Sequence, residues 1–353
     1  GMVAVAFFVS PHGFGHAARA AALLDALADR RPDLQIHLFT TVPRWFFAES
    51  LAVPFRYHRV ACDVGLVQTS PLDADPAATV EHLEASPWND PAAVAALARR
   101  LETLGCSLVI ADISALGLRV AARAGLPAVL VESFTWGWIY DRLPGAPRAL
   151  QRLGRAMAED VAGAELRIQA RPCCEEVASA TAVPPISRRP RLPRETVRRL
   201  LGIPPDGAPV LLASMGGVPW AYGRLERLTA AGAWTVVPGG AVRAGRRGRF
   251  LKLPFHGSFS DPALVAAADA VVGKLGYSTA AEVQRTGAAF AYLSRPEFPE
   301  SPVLASFVEA RLNARELDRE AFATGCWLPV VAELLAMVPR EPSTDDGAAA
   351  AAA

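Results

Sequence analysis

Lysine is almost missing from this chain: Lys252 and Lys274 stand nearly alone among 36 basic residues, the rest being arginine. Against 35 acidic residues the net charge is +1, which supplies no global pull toward a phosphate backbone and argues against nucleic acid as a partner. Cysteine is also scarce. The five residues Cys62, Cys106, Cys173, Cys174 and Cys326 are odd in number and lack C-x-x-C spacing, which excludes a disulfide framework and a zinc knuckle and predicts a reducing, cytoplasmic compartment. No apolar run is long enough to cross a bilayer. Val3 to Val9 is too short and has no basic flank, so it reads as a buried strand, with neither a signal peptide nor a transmembrane segment expected. No repeat shorter than a domain is visible.

What is present is ample for two cores. A length of 353 residues, 52% hydrophobic and 20% charged, fits two globular domains. Short β-rich runs alternate with helical patterns, the signature of βαβ units around a parallel sheet. Strand candidates are Val3 to Val9, Gln35 to Thr40, Phe55 to Val60, Leu108 to Ala111, Ala128 to Val131 and Glu165 to Gln169. Ala20, Leu23, Leu24 and Leu27 recur at helical spacing, and a long helical pattern from Pro76 to Leu104 is broken near Pro87 to Pro91. Proline and arginine crowd Ala182 to Pro193, and the alternation then restarts: a helix near Glu195 to Leu201, then strands at Val210 to Ser214, Trp234 to Val237, Phe250 to Leu253, Ala270 to Val272, Ala289 to Leu293 and near Trp327. The expected fold class is α/β, two Rossmann-like domains facing across a cleft: a first domain over 1–183, a linker over 184–193, a second domain over 194–339 and a disordered tail over 340–353.

Chemistry concentrates at strand ends. The first strand runs into Ser10-Pro11-His12-Gly13-Phe14-Gly15-His16, where glycines allow close backbone approach and a helix start offers free N–H groups to polar or anionic ligands. Gly13, Gly15 and Ala18 satisfy G-x-G-x-x-A, but the second strand ends in Thr40-Thr41 without the acidic residue a dinucleotide ribose needs. His12 and His16 are more informative, because an imidazole at a cleft mouth accepts a proton at neutral pH. Their plainer role is to brace the turn. Asp112 ends another strand, where it either orients a histidine across the crevice or caps the next helix. Glu132 is a similar candidate one strand further on, and Phe134, Trp136, Trp138 and Tyr140 form either an apolar acceptor wall or packing between domains.

In the second half, Gly216 and Gly217 follow the first strand of the new domain as a turn suited to phosphate. The strongest local signal is Val272-Gly273-Lys274-Leu275-Gly276-Tyr277-Ser278-Thr279-Ala280-Ala281-Glu282. A strand, a glycine turn with two hydroxyls and a helix opening with small residues make a phosphate nest, and Glu282 lies one turn into the helix, within reach of a ribose. Ser278 as an N-cap and Glu282 as a first-turn acid are the structural alternatives.

In order along the chain, HGFGHAAR, Cys62-Asp63-Val64-Gly65-Leu66-Val67-Gln68, Asp112-Ile113-Ser114 through Phe134-Thr135-Trp136-Gly137-Trp138-Ile139-Tyr140, and GKLGYSTAAE resemble the glycosyltransferase-like domain of plant L-arabinokinases and its free-standing bacterial relatives. More distantly the chain, over roughly residues 3 to 335, resembles GT-B glycosyltransferases such as the peptidoglycan lipid-intermediate N-acetylglucosaminyltransferase and the UDP-glucuronosyltransferases. That resemblance implies an acceptor-binding first domain, a second domain binding a nucleotide diphosphate sugar as co-substrate, and inversion without a metal or other cofactor. It implies His16 as base and Asp112 as its partner; His12 departs from the family pattern as an extra histidine and competes for the base role. Gly216, Gly217, Lys274, Gly276, Tyr277, Ser278, Thr279, Glu282, Glu297 and Glu300 fall to the donor. Gly13, Gly15, Glu132 and Trp136 fall to a small-molecule or lipid-like acceptor. Kinase activity is not carried over, because it needs a separate ATP-binding domain. Two other readings remain: a nucleotide-sugar epimerase on the same fold, told apart by an isomerised donor, and a non-catalytic nucleotide-sugar-binding protein. The sequence leaves the oligomeric state unknown.

Overall fold

The computed structural model describes residues 1–70, 72–214, 232–241, 245–254, 261–324 and 327–353. Two Rossmann-like sheets of seven strands each face one another across a cleft. The first half contributes β1 (Val3–Val9), α1 (Gly15–Arg30), β2 (Leu34–Thr40), α2 (Arg44–Ser50), β3 (Arg56–Arg59), the small hairpin β4 (Gln68–Ser70) and β5 (Asp73–Ala74), α3 (Pro76–Glu84), α4 (Pro91–Thr103), β6 (Cys106–Asp112), α5 (Ala115–Ala124), β7 (Ala128–Glu132), α6 (Trp136–Arg142), α7 (Arg148–Ala162), β8 (Leu166–Ala170) and β9 (Thr181–Val183). Its sheet runs β3-β2-β1-β6-β7-β8-β9 with every pairing parallel.

The second half contributes α8 (Arg194–Leu200), β10 (Val210–Ser214), β11 (Trp234–Ala241), β12 (Gly245–Arg247), β13 (Phe250–Pro254), α9 (Asp261–Ala267), β14 (Ala270–Lys274), α10 (Tyr277–Thr286), β15 (Ala289–Leu293), α11 (Ser301–Arg311), β16 (Ala314–Leu317), α12 (Arg319–Thr324), α13 (Leu328–Ala336) and α14 (Gly347–Ala352). Its sheet runs β12-β13-β11-β10-β14-β15-β16, with only the edge strand β12 antiparallel.

Burial on both faces explains the unbroken apolar strands. Along β1, Val5, Phe7 and Val9 enter the cluster beneath α1, while Ala4, Ala6 and Phe8 enter the cluster on the opposite face. In β10, Val210 and Leu212 likewise face one layer and Leu211 and Ala213 the other. The break expected near Pro87 is real. Asp75 caps α3, a 3-10 turn covers Pro87–Asn89, and Asp90 caps α4 with Pro91 at its first position, where a missing N–H costs nothing.

Two expectations are corrected. The last strand is β16; Trp327 instead precedes α13, fully buried, because a short apolar run does not distinguish a strand from a buried helix and Pro329 sits in the helix's tolerant first turn. The tail expected to be disordered carries α14, capped by Asp346, whose side chain accepts from Ala349 N–H at 3.0 Å. Alanine is the best helix former and Asp a favoured N-cap. Ala348, Ala351 and Ala352 join the cluster beneath α1, and Asp346 is held by Arg189 and Arg285.

Candidate active site

The carboxyl ends of β1, β6, β7, β14 and β15 converge on the cleft, where an open α/β sheet presents ligand-facing groups. There a cavity of about 160 Å³ is lined from both halves. His16 lies in the first turn of α1, and its Nδ1 is 2.7 Å from Asp112 Oδ1. Asp112 ends β6, fully buried. It does not cap α5; Ser114 does, accepting from Gly117 N–H. Between them Ile113 adopts a φ of +46°, a strained value for a β-branched residue and a constraint that turns the chain sharply beneath the carboxylate.

Arg19 completes the cluster and was not singled out by the sequence reading. Its Nε donates to Asp112 Oδ2 at 2.8 Å, one Nη to Oδ1 at 2.9 Å, and the other Nη to Ser133 Oγ at 2.9 Å. The Ser133 hydroxyl in turn donates to Ala170 O at 2.6 Å. The signal was available: Arg19 is three residues past His16, hence on the same helix face. Burial works against the Asp112 charge, yet the Arg19 and His16 side chains outweigh it and hold the carboxyl below its usual range.

His12 occupies a different niche. Its ring meets Trp136 edge-on at 4.9 Å between centroids, and Gly65, at φ +63°, passes so close that a Cβ there would fall 2.8 Å from the imidazole. Burial, then the neighbouring His16, Arg295 and Lys274 side chains, lower its pKa to about 3. It is therefore neutral at physiological pH, with Nε2 buried and without a hydrogen-bond partner. Trp136 donates to Asp63, another residue not singled out, whose carboxyl burial pushes up to about 7.

From the other half, Lys274, Gly276, Tyr277, Ser278, Thr279, Arg295 and Glu300 line the same cavity. Gly276 is the N-cap of α10, so Ser278 is not, and the start of that helix, where backbone N–H groups lack intrahelical partners, forms part of the cavity wall. Burial, then Arg295, lowers the Lys274 ammonium to about 8. Glu300 lies 3.7 Å from Arg295; its Oε2 and the Arg295 Nε are both buried and unbonded. Burial raises the Glu300 carboxyl despite that neighbour. The two helix starts nearly touch: a Cβ on Gly15 would sit 3.4 Å from the Ser278 Cβ. Gly13 joins Gly15 in the lining.

Other candidates go elsewhere. Glu132 pairs with Arg167 at 3.1 Å and is not part of the lining. Glu297 is exposed on the loop after β15. Glu282, one turn into α10, is buried outside the cavity lining and receives Arg188 at 3.1 Å. Gly216 and Gly217 lie outside the described residues, as does Cys326.

Among the described residues no three His, Cys, Asp or Glu side chains gather as a metal site, and no helix is long and apolar enough to cross a membrane. One Asp-x-Asp triplet does occur, Asp73-Ala74-Asp75, a spacing able to offer two carboxylates to a divalent cation. Both acids have other partners: Asp73 is bound by Arg319 and Ser70, while Asp75 caps α3.

Two Rossmann-like sheets facing across a cleft define the GT-B fold, which this chain shares with solved glycosyltransferases. It superposes on the kitacinnamycin glycotransferase with a TM-score of 0.64 at 17% identity, over 95% of this chain and 91% of that one. On SsfS6 of Streptomyces sp. SF2575, complexed with thymidine diphosphate, the TM-score is 0.57 at 16% identity, over 99% and 98% of the two chains. In sequence it is 27% identical over 339 residues to L-arabinokinase of Arabidopsis thaliana, covering 95% of this chain. The chain spans about a third of that protein, 32%. No protein-family model matches.

Proposed function

We propose that the protein is an inverting, metal-independent glycosyltransferase that moves a sugar from a nucleotide diphosphate sugar to a small-molecule or lipid-like acceptor in the cytoplasm. The observation that carries the reading is the His16–Asp112 contact of 2.7 Å at the wall of a cavity both halves line. With Nδ1 committed to Asp112, Nε2 is the nitrogen left to take a proton. The first domain, over 1–183, presents this base to the acceptor, and the second, over 194–339, holds the donor.

In the step itself the acceptor oxygen attacks the anomeric carbon as its proton passes to His16 Nε2. The bond from that carbon to the diphosphate oxygen breaks, and the nucleoside diphosphate leaves with the electron pair. Its charge meets the start of α10 together with Lys274 and Arg295, a preorganised field at the point where the leaving group develops charge. Glu300 and His12 offer acceptors to sugar hydroxyls. SsfS6, which binds thymidine diphosphate, supports a nucleoside diphosphate as the leaving group.

A panel of nucleotide sugars and acceptors, with products resolved by anomeric configuration, tests the proposal. The expected product is a glycoside of inverted configuration, formed equally in chelator. An isomerised donor without glycoside would establish the epimerase reading, and turnover lost to a chelator and restored by a divalent cation would remove metal independence. His16→Ala is expected to lower kcat by about 10²- to 10⁴-fold, the usual worth of a general base, with donor affinity little changed. A smaller loss than that of His12→Ala would transfer the base role to His12.

A further inference from the structure

Asp112 is a fully buried carboxylate with two possible sources of positive charge, Arg19 and a protonated His16. A buried charge is tolerated only when compensated. If His16 were the sole partner, the pair would be most stable as imidazolium and carboxylate, and a ring that already carries its second proton accepts none from an acceptor. Arg19 removes that demand. It grips both carboxylate oxygens, Nε on Oδ2 and an Nη on Oδ1, at 2.8 and 2.9 Å. Its remaining Nη is tethered through Ser133 to the Ala170 carbonyl at the end of β8, so the fork is fixed in orientation. Oδ1 still accepts from His16 Nδ1, and with a neutral imidazole the three groups sum to zero charge.

We propose that Arg19 is a positioning residue that keeps His16 unprotonated at rest, by balancing Asp112 with a permanent cation while leaving it free to orient the ring. This rests on the reading of His16 as the base. The surroundings push the same way. One Arg19 Nη stands 3.5 Å from His16 Nδ1, where a second positive charge is disfavoured. His12 on the preceding loop is neutral, and Lys274 and Arg295 reach the cavity from the second half. Glu300, the acid facing His16 from the loop before α11, has Arg295 as its own counter-charge. Glu132 is beside Arg19 but paired with Arg167, and Tyr277 is held in its phenol form by burial.

The first readout needs no turnover. Histidine-labelled protein is titrated by NMR without ligand, the His16 resonance being identified by its loss in His16→Gln. Arg19→Met, which removes the cation and keeps the bulk, is expected to move the His16 midpoint up by about one to three pH units, the effect of leaving one close opposite charge unbalanced. The acidic limb of kcat/KM moves up equally, with activity recovering at high pH. Arg19→Lys, which keeps the charge, stays within about half a unit of the parent. Arg19→Met/Asp112→Asn, which removes both charges, brings the midpoint back, and with the Lys variant carries the comparison if Arg19→Met alone does not fold. An unmoved midpoint in Arg19→Met, with loss of activity equal at every pH, would overturn the proposal and leave Arg19 a packing residue. Failure to form any glycoside would instead overturn the transfer reading while the titration still reports on Arg19.

Discussion

His12 and Asp63 both touch the Trp136 side chain, and their shifted ionisations act on stability with opposite signs. His12 is lowered to about 3 in the fold, so between that value and the unfolded value near 6.5 only the unfolded chain binds the extra proton. Its contribution is complete above about pH 6.5 and is lost as pH falls toward 3. Asp63 is raised to about 7. Between roughly 3.9 and 7 the folded chain binds the extra proton, so its contribution is complete in acid and lost as pH rises. Over the shared window the two offset one another. Asp63→Asn, which keeps an acceptor for the Trp136 N–H but cannot titrate, should lose about 2 to 4 kcal/mol more than the parent between pH 6.5 and 4. Urea unfolding at three pH values checks this; parallel profiles would refute it. Glu282 belongs to the same scale. With Arg188 it forms a pair exposed by only 7% and 11%, and breaking a buried pair from one side costs about 3 to 5 kcal/mol. Glu282→Ala should therefore lower the denaturant midpoint, and it should also weaken nucleoside diphosphate binding if the acid turns to a ribose. Calorimetry showing unchanged affinity would confine Glu282 to the structural role.

The hairpin of β4 and β5 is the element on which the first half reaches across. Leu72 at its tip enters the second half's core beside Phe322, Trp327 and Val331, and Arg319 at the start of α12 binds Asp73 at 3.1 Å and the Leu72 carbonyl at 2.8 Å. Both charged partners are well exposed, so the ion pair itself is worth little and the buried leucine carries the anchor. Leu72→Ala should cost about 2 to 3 kcal/mol and make the segment around 68–74 the first site of limited proteolysis; an unchanged cleavage pattern would show that the hairpin is held otherwise. No composition cue marked this contact, since its partners are nearly 250 residues apart in sequence. What was legible followed from local rules: β1 as Val3–Val9, the break at Pro87–Asn89, and His16 and Asp112 at strand ends that meet in the cleft. Trp327 was misread because a buried helix and a buried strand share one apolar pattern, and the alanine tail because composition alone hides the Asp346 cap. Arg188 on Glu282 and Arg167 on Glu132 were illegible because long-range charge pairing leaves no periodic trace.

Across the whole molecule the two halves exchange anchors rather than merely abut. Leu72 enters the second core, while Phe298, from the loop after β15, is buried in the first half's cluster on the sheet face away from α1. Tyr277 packs against both cores, its ring 5.8 Å from Phe134, with its hydroxyl 3.3 Å from Cys174 Sγ. Such interlocking couples the unfolding of one half to that of the other, whereas domains joined only by a linker melt separately. The parent should thus show one calorimetric transition. Phe298→Ala should remove about 3 to 5 kcal/mol of burial that is paid mostly in contact between the halves, and so split the trace into two transitions. A nucleoside diphosphate at saturating concentration should draw them together again, because at a hundred times its Kd a ligand adds about 2.7 kcal/mol to the state that binds it, and the cavity it would fill is walled by both halves. If the variant keeps a single transition of unaltered width, the coupling does not run through Phe298. If the nucleotide raises only one of two transitions, the halves bind it unequally and the shared cavity is not where its energy is spent.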